Sequence, residues 1–362
     1  MFPASNLFDS CGSLQVNDSG QPSSDGSVMR RVIAYILVGV GVFGIVLAPL
    51  MRFVVYPKVQ QFPLDQNFTD YASGQGTYLD FTDFKIKGPA ELTVCRTAYG
   101  DVKAGIDTGA AVWDVVTYIH VPGQIICGGA DQAYNITSER WAFNRKTVQA
   151  ENVAGAHPDF GKTNAYLVFP FNVDTTQTYN YWDATAAAAF PATYKGEETV
   201  QGRTLYKFVS VVPPTKVQEG QPLGSVVGGD PNGKYDVYYA NPDSVALVDP
   251  LTGIIVSGSS HLILTARLQG ESTDAGTVLD VQLKERADSV KKLTDLAIEN
   301  GNKLTMISTT IPLVSLIGGL LFVGLGVWLG LGADGSRPRR HAGGSAAPTT
   351  AASATSATSE PA

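Results

Sequence analysis

Two stretches of this 362-residue chain hold no ionisable side chain at all, and they govern what it can fold into. Val32 to Met51 (VIAYILVGVGVFGIVLAPLM) and Ile311 to Leu331 (IPLVSLIGGLLFVGLGVWLGL) are uncharged and strongly apolar. At about 1.5 Å per residue in a helix, twenty residues cross a hydrocarbon core of roughly 30 Å. The sequence therefore predicts two transmembrane helices, over 30–53 and 308–332, and excludes a plain soluble protein. Charged residues make up 16% of the chain, against roughly 25% in ordinary soluble domains. The formal charge of −7 and the lack of a basic patch exclude a nucleic-acid partner; the lipid bilayer is the expected one.

Lys and Arg resist translocation, so their placement sets orientation. Arg30 and Arg31 precede the first span, and Arg337, Arg339 and Arg340 follow the second. Arg52, Lys58 and Lys303 lie on the other side. The balance predicts a plasma-membrane protein with both termini cytoplasmic and the central domain extracytoplasmic. The first span reads as an uncleaved signal anchor; a cleaved signal peptide is the alternative, against which stand its length and the lack of a small-x-small cleavage site. Residues 1–29 form a Ser-, Asp- and Gly-rich tail, with translation starting at Met1 or Met29. Residues 333–362, rich in Ala, Ser, Thr and Pro, cannot build a core and read as a disordered cytoplasmic tail.

The block 56–305 between the spans carries the function. From Pro57 to Leu304 it holds 20 basic and 28 acidic residues. Its pattern is of short β-branched and aromatic runs, such as 112–121, 165–173, 205–212 and 258–268, bounded by turn residues. Asn241-Pro242-Asp243, Pro231-Asn232-Gly233, the Asp249–Gly253 run and the acidic pair Glu197-Glu198 read as turns. A short helix is expected from Tyr181 through the alanine run to Phe190. A longer one is expected from Asp288, with Val290, Leu293, Ala297 and Leu304 on one face, continuing toward the second span as a semi-rigid stalk. The predicted fold class is α+β: a β-rich extracytoplasmic domain between N-terminal and C-terminal transmembrane helices.

Few residues point to chemistry. Cys95 and Cys127 lie in the translocated block and either form a disulfide or are two buried free thiols; Cys11 lies in the N-terminal tail. His120, His157 and His261 have no metal-ligand spacing, His341 is in the C-terminal tail, and no nucleophile or phosphate-loop motif occurs. The reading is non-enzymatic, with no catalytic, cofactor or metal residues and no cofactor. In the spans, Gly44 with Ala48 and Gly326 with Gly330 give each helix a small-x-x-x-small face, for packing within the chain or in a homo-oligomer. Tyr179, Tyr181, Trp182, Phe190 and Tyr194 cluster, either as core or as the lining of a groove for an envelope lipid.

Several segments together carry a family resemblance. Trp141–Thr147 (WAFNRKT) looks like an aromatic, Asx-Arg-x-Thr turn. Phe169–Asn172 (FPFN) leads to Tyr179–Asp183 (YNYWD), and Tyr194–Glu198 and Val248–Gly253 (VDPLTG) follow. With Met29-Arg30-Arg31 before the first span, residues 29–332 resemble the PorA family of actinobacterial cell-envelope proteins. Asn144 stands where that family commonly has Asp. The resemblance implies a role in envelope transport or organisation and channel formation in the cell wall, and it brings no catalytic residues. The topology also resembles that of class B scavenger receptors, which implies a lipid-binding or lipid-transfer domain as the alternative.

Overall fold

A computed structural model describes residues 25–157, 159–160 and 163–334. The N-terminal tail up to residue 24, with Cys11, and the tail beyond 334, with Arg337, Arg339, Arg340 and His341, lie outside the described residues. The chain divides into two compact units, one reaching Ala48 and resuming at Val314, the other Pro49–Leu313.

The first unit consists of α1 (Asp25–Leu50) and α6 (Ile311–Asp334). Both are long and apolar enough to cross a membrane. They run antiparallel at very close range. A Cβ added at Gly41 would lie 2.6 Å from the Gly319 carbonyl oxygen, one at Gly44 2.8 Å from that of Ser315, and one at Gly326 2.8 Å from that of Ala34. Only hydrogen at these positions permits such an approach, the usual device of helix pairs in lipid. Apolar side chains such as Tyr35, Phe43, Leu321 and Trp328 remain exposed on their outer surfaces.

The second unit is dominated by an eleven-stranded sheet with the order β4-β3-β2-β1-β11-β10-β9-β8-β7-β6-β5. The strands are β1 (Asn67–Asp80), β2 (Lys85–Gly100), β3 (Ala111–His120), β4 (Asn135–Phe143), β5 (Ala165–Tyr166), β6 (Tyr179–Asp183), β7 (Ala188–Val200), β8 (Arg203–Gln221), β9 (Tyr235–Val248), β10 (Ile255–Leu268) and β11 (Gly276–Glu285). Every pairing is antiparallel except β5 with β6. Two meanders, β1–β4 and β6–β11, meet at the β1–β11 seam, and β5 adds a short parallel strand beyond β6. The sheet curls, and side chains bring its two edge regions together. Trp182 on β6 donates through Nε1 to Glu139 Oε1 on β4 at 2.6 Å, and Phe160, from the loop between β4 and β5, stacks on Trp141 with ring centroids 3.7 Å apart. Covering the edges this way removes a template for strand addition.

Three short helices, α2 (Tyr56–Val59), α3 (Val102–Thr108) and α4 (Gly224–Val227), lie in the connections. Helix α5 (Ala287–Thr305) lies on the outer face of β8–β10, where Val290 and Ala297 pack with Leu205, Leu247 and Val256. It begins a residue before the predicted start, with the expected face inward, because Ser289 Oγ accepts from Tyr71 N at 2.9 Å and ties its first turn to β1. Two π-helical turns, Met51–Val55 and Met306–Thr310, adjoin Pro49 and Pro312. Proline withholds an amide from the helical ladder, and π-turns accommodate such defects. Arg52 Nη1 donates to the Ser308 carbonyl at 3.0 Å and joins the two turns.

Several expected elements take a different form. The helix expected over 181–190 is a β-hairpin: Asp183 Oδ1 accepts from the amides of Thr185 and Ala186 at 2.9 Å, and this Asx turn together with β6–β7 pairing overrides the helix propensity of the alanines. The strand expected over 165–173 is only Ala165–Tyr166, since Asn172 takes a positive φ and the segment docks on a turn instead. Asn241-Pro242-Asp243 is not a turn but a bulge inside β9, at which the pairing slips from Val212↔Asn241 to Ser210↔Ser244. Glu197-Glu198 lies in β7 rather than in a turn. The strands, up to 19 residues in β8, outrun the short runs expected because polar residues alternate along them and interrupt the apolar signal.

Candidate functional site

The inner face of the curled sheet is not fully packed. Alternate residues of β1 to β4 and β11, namely Asp70 and Ala72, Val94 and Arg96, Val115, Thr117 and Ile119, Asn135, Thr137 and Glu139, Leu283 and Glu285, point into a cavity of about 260 Å³. This is the period of two expected of a strand. Strands β6 to β10 complete the wall with Tyr181, Trp182 and Asp183, Ala192, Phe208, Ser210, Tyr239, Asn241 and Leu262. Asn135 is exposed as well as part of the wall, so the cavity reaches solvent at the start of β4. Apolar clusters fill the inner face elsewhere, one around Trp113, Trp141 and Phe160, another around Tyr78, Leu92 and Leu279.

Four carboxylates and one guanidinium line this cavity. Asp70, 3% exposed, is paired across the β1–β2 ladder with Arg96, which donates to Oδ2 at 2.6 Å and to Oδ1 at 3.3 Å. The Asp70 charge raises the pKa of Arg96 and keeps it protonated. Glu139 accepts from the indole N–H of Trp182 and, at 3.3 Å, from that of Trp141; burial raises its pKa against these donors. Asp183 accepts from the Tyr239 hydroxyl at 2.9 Å and is also raised by burial. Glu285 differs from the other three. Its Oε2 is buried with no hydrogen-bond partner, and burial, reinforced by repulsion from Asp70 and opposed by Arg96, pushes its pKa up to about 7.

The residues singled out in the sequence fall elsewhere. Cys95 on β2 and Cys127 in the β3–β4 loop are joined by a disulfide with a Cα–Cα distance of 5.9 Å. His120 is buried behind that loop, accepting from Cys127 N through Nε2 at 3.0 Å with Nδ1 2.9 Å from the Gln132 carbonyl. His261 pairs with Asp280 at 2.7 Å, and His157 accepts from Asp159 N at 3.3 Å. The three do not converge, and among the described residues no group of three or more His, Cys, Asp or Glu is placed to hold a metal ion. Gly44 and Gly326 lie at the closest approach of α1 and α6, Ala48 is buried at 6% exposure, and a Cβ at Gly330 would sit 4.0 Å from that of Ala34. Of the aromatic cluster, Tyr181 and Trp182 reach the cavity wall, and Tyr179 belongs to the core with Phe169 and Phe208.

Of the segments that carry the family resemblance, Tyr179–Asp183 is β6 and Tyr194–Glu198 lies in β7, while the others contain turns that hold the curled sheet in shape. Asp249 Oδ1 accepts from Thr252 N at 2.9 Å and Thr252 Oγ1 at 2.8 Å, while its Oδ2 binds Arg203. Gly253, at φ +72, abuts the Phe169 and Pro170 carbonyls so closely that a Cβ would overlap them. There the two segments bond, Asn172 N to Leu251 O at 3.0 Å and Val173 N to Pro250 O at 2.8 Å. Asn144 Oδ1 caps its own turn at Lys146 N and Thr147 N, and Arg145 Nε donates to Phe62 O at 2.7 Å. Asn144 thus performs the capping that an Asp would perform.

A family model described as Porin PorA matches residues 33–328, a range that takes in the paired turns, the curled sheet and most of both apolar helices. The chain belongs to the PorA porin family. It is also similar to a protein named Porin PorA from Corynebacterium amycolatum, at 26% identity over 30% of this chain and 34% of that relative. The match thus spans about a third of the relative's length. PorA membership together with two apolar helices fits a membrane protein.

Proposed function

We propose that this PorA-family chain is a two-span, non-enzymatic envelope protein whose central domain takes a small solute into the cavity of its curled sheet as part of a porin-like transport role. Both termini are cytoplasmic in this reading and the central domain faces outward. The observation that carries it is the cavity of about 260 Å³ with a mixed polar and apolar wall. A structural sheet of this size would fill its inner face, because packed interiors leave few voids larger than a water. Conduction of ions through α1 and α6 alone is disfavoured, since two uncharged helices in mutual contact enclose no polar path; a conduit requires oligomers or the central domain itself.

Lipid binding is the second reading, favoured by Leu167, Phe169, Phe208, Leu262 and Leu283 on the wall. The cavity falls just short of the roughly 300–1,000 Å³ of ordinary small-molecule pockets, so it suits a headgroup or short chain rather than a whole acyl tail. Both readings meet one experiment: purification of the intact protein, mass spectrometry of what co-purifies, and conductance in planar bilayers. Ala246→Trp, which fills the cavity from β9, is expected to abolish ligand retention or conductance while the circular dichroism spectrum is unchanged. Neither ligand nor conductance from the native chain overturns both and leaves a scaffold.

A further inference from the structure

The end of the central unit at which its chain enters from the first uncharged run carries an inverted helix. In α3 the buried residue is Gly105, against which Leu64 packs, while Val102 is 42% and Ile106 69% exposed. Four positions apart, these two share one helix face. Tyr99, at the end of β2 just before it, is exposed as well. A helix on a water-facing surface turns its large apolar side chains inward; α3 does the reverse. It is nonetheless firmly held, because Asp101 Oδ1 accepts from Ala104 N at 3.0 Å and Ala104 packs against Val112 and Ala142.

Unneutralised cations gather at the same end. Arg145 Nε donates to Phe62 O at 2.7 Å and Phe62 N to Arg145 O at 2.9 Å, which fixes the Asn144–Thr147 turn to the segment leading from the first span. Arg52 rests on the Ser308 carbonyl and the Tyr56 ring. Neither guanidinium meets a carboxylate among the described residues, whereas Arg96, Arg140, Arg203 and Arg267 each pair with an Asp. Lys58 and Lys146 are exposed beside them. Of the acids at this end, Asp101 and Asp114 are taken by Arg140 and Asp107 by Lys103, which leaves Asp65 and Glu151 against four cations. Phe62 and Leu64 follow Met51, the end of the uncharged run, by 11 and 13 positions. The helical part of that stretch, up to Val59, rises only about 12 Å at about 1.5 Å per residue, and headgroups reach roughly 5–7 Å beyond the hydrocarbon.

We propose that this end of the central unit docks on the headgroup layer of an anionic bilayer, with Val102 and Ile106 dipping into the interface and Arg52, Lys58, Arg145 and Lys146 against lipid phosphates. Interfacial elements bind by this combination of buried apolar area and attraction to anionic lipid. The surface is continuous with the apolar helix through exposed Val59. A second copy is the poorer partner, because an isologous contact sets the cationic surface against itself. The inference rests on the membrane reading of α1 and α6 and is independent of the cavity.

The test uses the full chain with Cys11→Ser, reconstituted into phosphatidylcholine vesicles with or without phosphatidylglycerol and carrying an environment-sensitive dye on one introduced cysteine. Lipids brominated on the acyl chain quench only a dye seated in the bilayer. With phosphatidylglycerol present, a dye at Ile106→Cys is expected to be quenched severalfold more than one at Phe84→Cys. Phe84 is also apolar and exposed, but it lies in the β1–β2 turn at the far end of β1. Quenching at Ile106→Cys should drop severalfold without phosphatidylglycerol, in high salt, and in Lys58→Gln with Lys146→Gln, which alters two exposed side chains only. Equal quenching at the two positions, or quenching indifferent to phosphatidylglycerol, overturns the proposal. So does a dye at Ile106→Cys that is shielded by protein, its emission following the protein-to-lipid ratio, which would mark a second copy. A dye at Phe43→Cys in α1 reports insertion itself. Quenching there but not at Ile106→Cys overturns the docking alone, and quenching at neither overturns the membrane reading with it.

Discussion

Asp249 has no contact with solvent, and both of its oxygens are committed, one to the turn that follows it and one to Arg203. Breaking a buried ion pair by removing one partner costs about 3–5 kcal/mol; Arg203 keeps partial access to water, so Asp249→Ala is expected to lose about 3 kcal/mol, measurable by chemical denaturation of the intact protein. Asp249→Asn should lose less, since the amide oxygen still caps Thr252. Glu285 has the opposite sign. Its folded pKa of about 7 lies above its ordinary 4.5, so the folded state binds the proton more tightly than the unfolded one. Stability falls as pH rises from about 4.5 to 7 and is level above that, by on the order of 3 kcal/mol in all. A melting series from pH 4.5 to 8.5 should show this decline in the native chain and a much flatter profile in Glu285→Gln. Neither role is legible in the sequence. Asp249 sits in a run that reads as an ordinary turn. Asp70, Glu139, Asp183 and Glu285 read in the sequence as solvated strand residues, Glu139 and Glu285 even flanked by other polar residues, and only the curl of the sheet turns that face inward.

At the scale of elements, α1 and α6 are the part of the fold that the sequence shows most directly, because an unbroken uncharged run is visible without knowing its partner. Their contact is finer. A Cβ at Gly330 would lie 4.0 Å from that of Ala34, within the roughly 3.5–4.5 Å that a disulfide spans. The double variant Ala34→Cys with Gly330→Cys should therefore oxidise to an intramolecular bond under mild conditions, read as a mass loss of two hydrogens without dimer formation. Adding Gly319→Leu, which drives a side chain into Gly41 and Ile45, should reduce the yield severalfold. The misread elements share a cause. The alanine run at 186–189 favours a helix in isolation, and Pro242 favours a turn. In both places long-range strand pairing wins, and pairing partners are not readable from one strand's composition.

For the molecule as a whole, the Cys95–Cys127 bond ties β2 to the β3–β4 loop across a separation of 32 residues. The chain-entropy account gives such a loop about 3–4 kcal/mol. Reduction, or Cys95→Ser, is expected to lower the melting temperature by several degrees. The bond needs an oxidising compartment, so alkylation of the native protein from cells should leave both cysteines unlabelled until a reductant is added. A Lys292→Cys probe on α5 should then react with an impermeant maleimide added to intact cells; labelling only after lysis would place the central domain inside and reverse the proposed orientation.

The β1–β11 seam has a bearing on how the protein is made. Ala72 pairs with Glu285 across 213 positions of chain, while each meander on either side is knitted from local hairpins. The first meander emerges early in synthesis and must wait, its β1 edge unpaired, until the last strand arrives. Contacts so distant in sequence form slowly because the intervening chain has to close first. The wall segment holding Asp70 and Arg96 meets the one holding Glu285 only at that last step, so a nascent chain interrupted before residue 276 has hairpins but no chamber. The chamber is therefore a feature that this protein acquires only at the end of its own manufacture.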